Sequence, residues 1–433
     1  MTDIEATISG LSHDGRGVAR IANKATFVSG ALLGERVSLA YRKRHRNYDD
    51  ADIVSVIEPS PDRVVPKCRH FGQCSGCSLQ HMAPAAQIVA KQHVLAENFE
   101  RIGKVRPGSW LAPLVHEPWN YRRRGRFSVR YVPKLDRVLV GFRDEANTRL
   151  VADIQRCEVI HPALGPKVGL LAILVNGLDA RQGIPQIEFA AGDDTIALVF
   201  RHVAPLSSRD HDALVAFGKE HGFAIFSQPG NHSSVHALWP DAPRLAFSVP
   251  ADNVQLEFQP LDFVQVNAGM NQLMLGRTME LLDLQPTDRV LDLFCGLGNF
   301  TLPMARHAAE VVGIEGEHAL VERAAANAAH NGLGNASFRV GNLFDDQRNE
   351  SWAREPWDKI LLDPPRAGAD KVLEYLPRKH TNRIVYVSCH PASLARDAGI
   401  LVEKHGFRLV SAGVMDMFPH TAHVESIALF ERR

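Results

Sequence analysis

The chain has 433 residues, 45% of them hydrophobic and 23% charged, with Lys plus Arg and Asp plus Glu balanced at 49 each. That is enough chain for roughly three domains, and the composition excludes a disordered, fibrous or polyelectrolyte protein. No apolar run is long enough to span a membrane, and the start MTDIEATISG has neither the basic opening nor the apolar stretch of a signal peptide. A cytoplasmic protein without membrane contact is expected.

Residues 1–60 contain the strand-like segments EATISG, VARIA, ATFVSG, ERVSLAYR and ADIVSVIE, parted by turns at His13–Gly17, Asn23-Lys24 and Gly34. Alternation and turn spacing predict a small, OB-like, five-stranded β-barrel, and the prolines at 59 and 61 end it. Two basic blocks with interleaved aromatics, Tyr41–Arg46 and Tyr121–Arg126, are candidate phosphate contacts or solvated surface. The second lies within a stretch from Arg101 to Leu150 that carries twelve Lys/Arg against four Asp/Glu.

Residues 61–260 predict an α+β unit. A helix is expected in which Ile88, Leu95, Phe99 and Ile102 share one face, followed by the strands RFSVRYV, RVLVGFRD, IEFAAG, TIALVFRH and NVQLEF, with a helix at Asp210–Glu220. Cys68, Cys74 and Cys77 with a distant Cys157 form a metal signal, because three thiols within ten residues of an intracellular chain seldom occur without one. Zinc prefers paired C-x2-4-C spacings, whereas a grouping of three plus one suits a cubane iron–sulfur cluster better. Radical chemistry at such a cluster requires an open iron, which a fourth thiolate would close.

Residues 261–433 alternate strand and helix regularly, which predicts a parallel, doubly wound sheet covered on both faces. The strand RVLDLF opens into a turn with Gly296 and Gly298, and Glu315 ends the next strand, placed to accept both hydroxyls of a ribose. The absence of a GxGxxG pyrophosphate cradle favours S-adenosyl-L-methionine over NAD. In Asp363-Pro364-Pro365-Arg366 an arginine stands where amino-methylating enzymes carry a base-stacking aromatic, so a ring carbon is the better target. C5 of a uracil needs activation by a thiolate at C6. Cys389 lies at the tip of the fifth strand, ahead of a helix whose N-terminus is expected to depress its pKa. The alternative for Cys389 is a small buried hydrophobe. Removing the C5 proton requires a base, for which Glu425 at the start of the last strand and His423 compete.

In this order the cysteine cluster, DFVQVN (Asp262–Asn267), DLFCGLGNF, DPPR, SCHP and HTAHVE resemble the bacterial RNA uracil-C5 methyltransferases over nearly the whole chain. The leading barrel and the four cysteines resemble the branch that acts on 23S rRNA. The resemblance implies a class I, Rossmann-like, adenosylmethionine-dependent methyltransferase domain preceded by a TRAM-type RNA-binding barrel and a central α+β domain with an iron–sulfur cluster. It implies a cofactor pocket of Gln265, Phe294, Asn299, Glu315, Asn342 and Asp363, with Cys389 as nucleophile and Glu425 as base. It further implies a [4Fe–4S] cluster on Cys68, Cys74, Cys77 and Cys157, and 23S rRNA as partner with no obligate protein partner. Three rivals remain open: a related enzyme acting on another 23S rRNA or tRNA uridine, an RNA cytosine-C5 methyltransferase, and a non-catalytic RNA-binding assembly factor. The cytosine enzymes usually carry Pro-Cys where this chain has Ser388-Cys389.

Overall fold

The computed structural model describes residues 4–432. At the N-terminal end, Ile4–Thr7 pairs with Arg36–Arg44 while Gly10–Leu11 pairs with Gly17–Ile21. These two segments are halves of one bent strand at the two edges of a sheet in which Lys24–Ser29 also pairs, in parallel, with Tyr48–Glu58, and the bend closes that sheet into a barrel. At the bend, Ile8 donates its amide to the Glu35 carbonyl and its side chain enters a core of Ala19, Val28, Val37, Leu39 and Ala51. The two-residue turn at Ala22-Asn23 has positive φ at both positions, matching the twist of the flanking strands.

The stretch 61–260 does not form a single body. Its first helix, Pro84–Asn98, lies against helix Pro391–Glu403, and the short strand Ser109–Trp110 adds to the C-terminal sheet beside Phe407–Met415. Residues 124–239 form a six-stranded sheet in the order His236–Trp239, Phe223–Gln228, Ile196–Arg201, Gln186–Ala191, Arg124–Val132, Arg137–Gly141, while Ala246–Val249 and Val254–Glu257 make a separate hairpin that shares a core with the C-terminal sheet. Helices Val168–Asn176 and Ser208–His221 cover the six-stranded sheet, and a Ser207/Asp210 capping box starts the second of them.

The expected apolar face of the first helix holds for Leu95 and Phe99, both buried, and partly for Ile88, but Ile102 is 48% exposed. The helix ends in a π-turn over Phe99–Gly103, whose wider winding turns Ile102 away from the face that Leu95 and Phe99 share. The same buried face carries two polar side chains, Gln87 and Lys91.

The C-terminal sheet has eight strands in the order Ala336–Val340, Glu310–Glu315, Arg289–Leu293, Lys359–Leu362, Arg383–Ser388, Glu425–Arg432, Phe407–Met415, Ser109–Trp110. All neighbours run parallel except Glu425–Arg432, which is antiparallel to both of its partners. Alternate residues of each strand feed different cores: Val290, Val311, Leu361 and Val385 on one face, Leu291, Val312, Ile360 and Ile384 on the other. Burial on both faces explains the near-continuous apolar runs of these strands. Among the described residues, no helix is long and apolar enough to cross a membrane.

Candidate active site

Strand Arg289–Leu293 ends at Phe294, whose φ of 69° is unusual for a bulky residue, and the turn continues through positive φ at Gly296 and Gly298. Strain of this kind persists where the surroundings over-determine it, and here the amides of Phe294 and Cys295 are both tied to the Ile314 carbonyl. The Glu315 carboxylate accepts from the Gly296 amide at 3.1 Å and from the amides of Gly316 at 2.7 Å and Glu317 at 3.1 Å. It therefore stands against the glycine turn. Asn299 exchanges two amide hydrogen bonds with Asn271, at 2.9 and 3.0 Å. The Asp363 amide donates to the Leu293 carbonyl, which sets that carboxyl beside the end of the first strand.

Phe294, Asn299, Glu315 and Asp363 thus gather at one strand end. Gln265 joins less directly, lining a small cleft with Asn271. Asn342 is exposed, accepting from the Phe344 amide and donating to Asp345. Asp292 belongs to this group although sequence reasoning did not single it out. It is 0% exposed, one oxygen accepts from the Thr301 hydroxyl and the other has no partner. Burial, with Asp363 and Glu315 nearby, pushes its pKa up to about 8. A charged residue inside an apolar strand was the available signal.

Strands Arg383–Ser388 and Glu425–Arg432 pair antiparallel up to Ser388 opposite Ser426. Cys389 follows Ser388 directly and Glu425 precedes Ser426, so both side chains leave the same end of this strand pair, and the Glu425 carboxyl is near enough to act on the thiol. Burial pushes the Cys389 thiol up to about 12, and the carboxyls of Glu425 and Asp363 add to it, with Arg366 opposing. The expected depression by the helix N-terminus is not found. The helix Pro391–Glu403 is capped by His390, so Cys389 sits one residue before the cap rather than in the first turn.

The two candidate bases are sharply separated. Burial, with Asp363 nearby, pushes Glu425 up to about 8, with Lys91 and Arg366 opposing. Burial and then Arg366 push His423 down to about 4, and the Arg366 guanidinium contacts His423 Nε2. Asp363 is raised to about 7 by burial.

Cys68, Cys74, Cys77 and Cys157 line one cavity of about 220 Å³, together with His70 and Phe142. Burial pushes Cys74 and Cys77 up to about 12, with the neighbouring thiols adding to it. Among the described residues, no three His, Cys, Asp or Glu side chains converge tightly enough to hold a single metal ion. The separate Cys295 is buried against Gly313, where any side chain would meet its sulfur.

The basic blocks differ. Arg42, Lys43 and Arg44 are exposed, with Arg44 stacked over Tyr41 at 4.2 Å. In the second block, Arg123 binds Asp193, and Arg124 binds the carbonyls of Leu261 and Asp262, so the Arg124 charge holds the start of the DFVQVN segment.

A mainly parallel sheet with a strained glycine turn after strand Arg289–Leu293, and with carboxyls gathered beside that turn, has the architecture of a Rossmann-like methyltransferase. The family model described as tRNA (Uracil-5-)-methyltransferase matches residues 246–433, and the TRAM domain model matches residues 2–54. A relative from Xanthomonas oryzae pv. oryzae, named 23S rRNA (uracil(1939)-C(5))-methyltransferase RlmD, is 58% identical over 100% of this chain and 98% of its own. One of the same name from Xylella fastidiosa is 56% identical over the same shares. The chain belongs to the RNA uracil-C5 methyltransferase family. In structure it is similar to the tRNA (uracil-54, C5)-methyltransferase of Pyrococcus abyssi, solved with S-adenosyl-L-homocysteine, with a TM-score of 0.76 at 20% identity over 98% of this chain and 99% of the other.

Proposed function

We propose that this chain is a cytoplasmic enzyme that transfers a methyl group from S-adenosyl-L-methionine to C5 of one uridine in 23S rRNA, the uridine 1939 for which its relatives are named. The observation that carries the reading is the nearness of Cys389, Glu425 and Asp363 at the strand ends, where the carboxyls act on the thiol and the Asp363 amide is bonded to the Leu293 carbonyl. The cofactor supplies an electrophilic methyl group. Glu315, Asn299, Phe294 and Asp363 gather at one strand end where they can orient it, and the family resemblance adds Gln265 and Asn342.

Cys389, as thiolate, forms a bond to C6 of the uracil and pushes the C5=C6 electrons onto C5, which takes the methyl group. Glu425 then accepts the C5 proton, and the electrons of that C–H bond restore C5=C6 and expel the thiolate. A carboxyl raised to about 8 is a stronger base than an ordinary one and is matched to neutral pH. His423, at about 4 and already bonded to Arg366, is not. The N-terminal barrel, with its exposed Arg42, Lys43 and Arg44, offers the RNA a basic surface.

Four thiols around one cavity fit a [4Fe–4S] cluster held by Cys68, Cys74, Cys77 and Cys157. A tetrahedral zinc would require thiolates about 3.8 Å apart, given Zn–S bonds of about 2.3 Å. The grouping of three cysteines plus a distant fourth favours the cluster over such a site. Four ligands leave no open iron, so the group would supply a cross-link between the loops at 68–77 and at 157.

The deciding experiment is incubation with unmodified 23S rRNA and a labelled methyl donor, followed by nucleoside mass spectrometry and mapping. Label as 5-methyluridine at the one site is the expected result. Label in tRNA, or in cytosine, would overturn it.

A further inference from the structure

Glu425 is reached from strand Phe407–Met415 through a connecting segment, residues 416–424, that has almost no regular structure of its own. That segment is held from outside. Helix Pro84–Asn98 turns two buried polar side chains toward it, Gln87 at 1% and Lys91 at 2% exposure, one helical turn apart. Lys91 Nζ donates to Asp416 at 2.6 Å and to the Phe418 carbonyl at 3.0 Å. Gln87 Oε1 accepts from the His420 amide at 2.9 Å, while Gln87 Nε2 donates to the carbonyls of Leu79 at 3.0 Å and Met82 at 2.8 Å. The Tyr121 hydroxyl donates to the Pro419 carbonyl at 3.1 Å.

The cysteine loop completes the enclosure. Ser78 and Leu79, the two residues after Cys77, both donate their amides to the His420 carbonyl at 2.9 Å, and the Ser78 hydroxyl accepts from the Ala422 amide at 3.2 Å. His420 has a φ of 66°, and its ring stacks on Trp119 at 3.9 Å. Leucines at 87 and 91 would bury this helix face without desolvating an amide and an ammonium. Buried polar groups that are fully paired fix one arrangement among several, and the arrangement fixed here is that of the chain entering Glu425.

We infer that Gln87, Lys91 and Tyr121 are positioning residues for Glu425, and that the loop following Cys77 is the outer jaw of the same clamp. Order at the four thiols is thereby transmitted to the proton-accepting end of the site through Ser78, Leu79 and His420. Cys389 hangs from a different strand and stays outside the clamp. The inference rests on Glu425 being the base, and its chemical signature follows from that division. Loosening the clamp slows proton removal and leaves thiolate addition and methyl transfer in place.

The test uses the full chain with Gln87→Met, which keeps the length of the side chain, and Tyr121→Phe, which deletes a single hydroxyl and preserves the ring. RNA affinity should stay within about twofold, and kcat should fall about ten- to hundredfold for Gln87→Met and less for Tyr121→Phe, as expected when a reacting group is misplaced by a fraction of an ångström. Both variants should accumulate the methylated covalent RNA adduct on a denaturing gel. Hydrogen exchange should quicken in residues 416–424 and not in strand Arg383–Ser388. Chelating iron from the wild-type protein should quicken exchange in the same segment. Normal kcat without adduct in both variants would overturn the positioning role, as would exchange that rises uniformly. Unchanged exchange at 416–424 after chelation would detach the cysteine loop from the clamp. If Glu425→Gln itself gives no adduct, the base assignment falls, whereas the exchange pattern still reports on the clamp alone.

Discussion

Cys389 and Glu425 flank the last pair, Ser388 and Ser426, of two antiparallel strands, and the Glu425 carboxyl lies near enough to raise the thiol. A thiol and a carboxyl in that relation shape each other's chemistry, because the charge of either opposes the ionisation of the other. Burial and the Glu425 carboxyl hold Cys389 up at about 12. Arg366 is the cation that opposes the rise at both groups.

Replacing Cys389 by Ala should reduce methylation of 23S rRNA to background while leaving RNA affinity within about twofold, since the thiol forms the bond to C6 and makes no phosphate contact. Filter binding and methyl transfer measured on the same preparation decide it. Residual turnover above a few per cent would remove Cys389 from the role of nucleophile.

Glu425→Gln should still add to the base and transfer the methyl group, then stall, giving a slow covalent band with ordinary uridine RNA. His423→Gln should turn over within a few-fold of wild type, because His423 is already engaged by Arg366 and is held at about 4. The opposite pattern would make His423 the base.

The pH dependence follows from the raised carboxyl. A base works only when ionised, so the rate of adduct breakdown should climb as pH rises through about 8 and level off above it. Asp363, Lys91, Arg366 and Cys389 are the charged or titratable groups facing Glu425, and removing a cation raises its pKa further. Arg366→Gln should therefore move the rising limb to higher pH in single-turnover profiles. A limb near 4 would point to His423 instead.

Protein purified without oxygen should be brown and hold about four irons per chain, and Cys74→Ser or Cys157→Ser should lower iron content and solubility together. Metal analysis and absorbance measure both. Colourless protein with stoichiometric zinc would assign the cysteines to a single-ion site.

Gly103, in the π-turn that ends the first long helix, lies so close to helix Pro391–Glu403 that an added Cβ would collide with the Ala395 carbonyl. Gly103→Ala should cost about 1–3 kcal/mol of stability as an overpacked contact against backbone. Thermal or urea unfolding reads this directly. A stability equal to wild type would mean that the two helices separate at no cost.

Several features of this protein were readable from the chain alone because they depend on residue type and local period. Alternation and turn residues outlined the barrel, continuous apolar runs between helices announced the parallel sheet, and chemistry-bearing residues stood at strand ends: Glu315, Asp363, Cys389, Glu425. Other features depend on neighbours that only folding supplies. Ile102 faces water because a π-turn altered the winding before it. The stretch expected as one central unit is shared out, because helix Pro84–Asn98 finds its apolar partner on Pro391–Glu403. Asp292 and the direction of the Cys389 shift were fixed by burial and by nearby carboxyls, and the opposite shifts of Glu425 and His423 by burial first, with Arg366, 57 residues before His423, adding to the fall at His423. Gln87 and Lys91 interrupt an otherwise apolar helix face, a signal present in the sequence whose meaning lies in Asp416 and His420, more than 300 residues downstream. Secondary structure and catalytic chemistry are local properties of a chain, whereas dielectric, charge pairing and the anchoring of a loop are properties of what surrounds it.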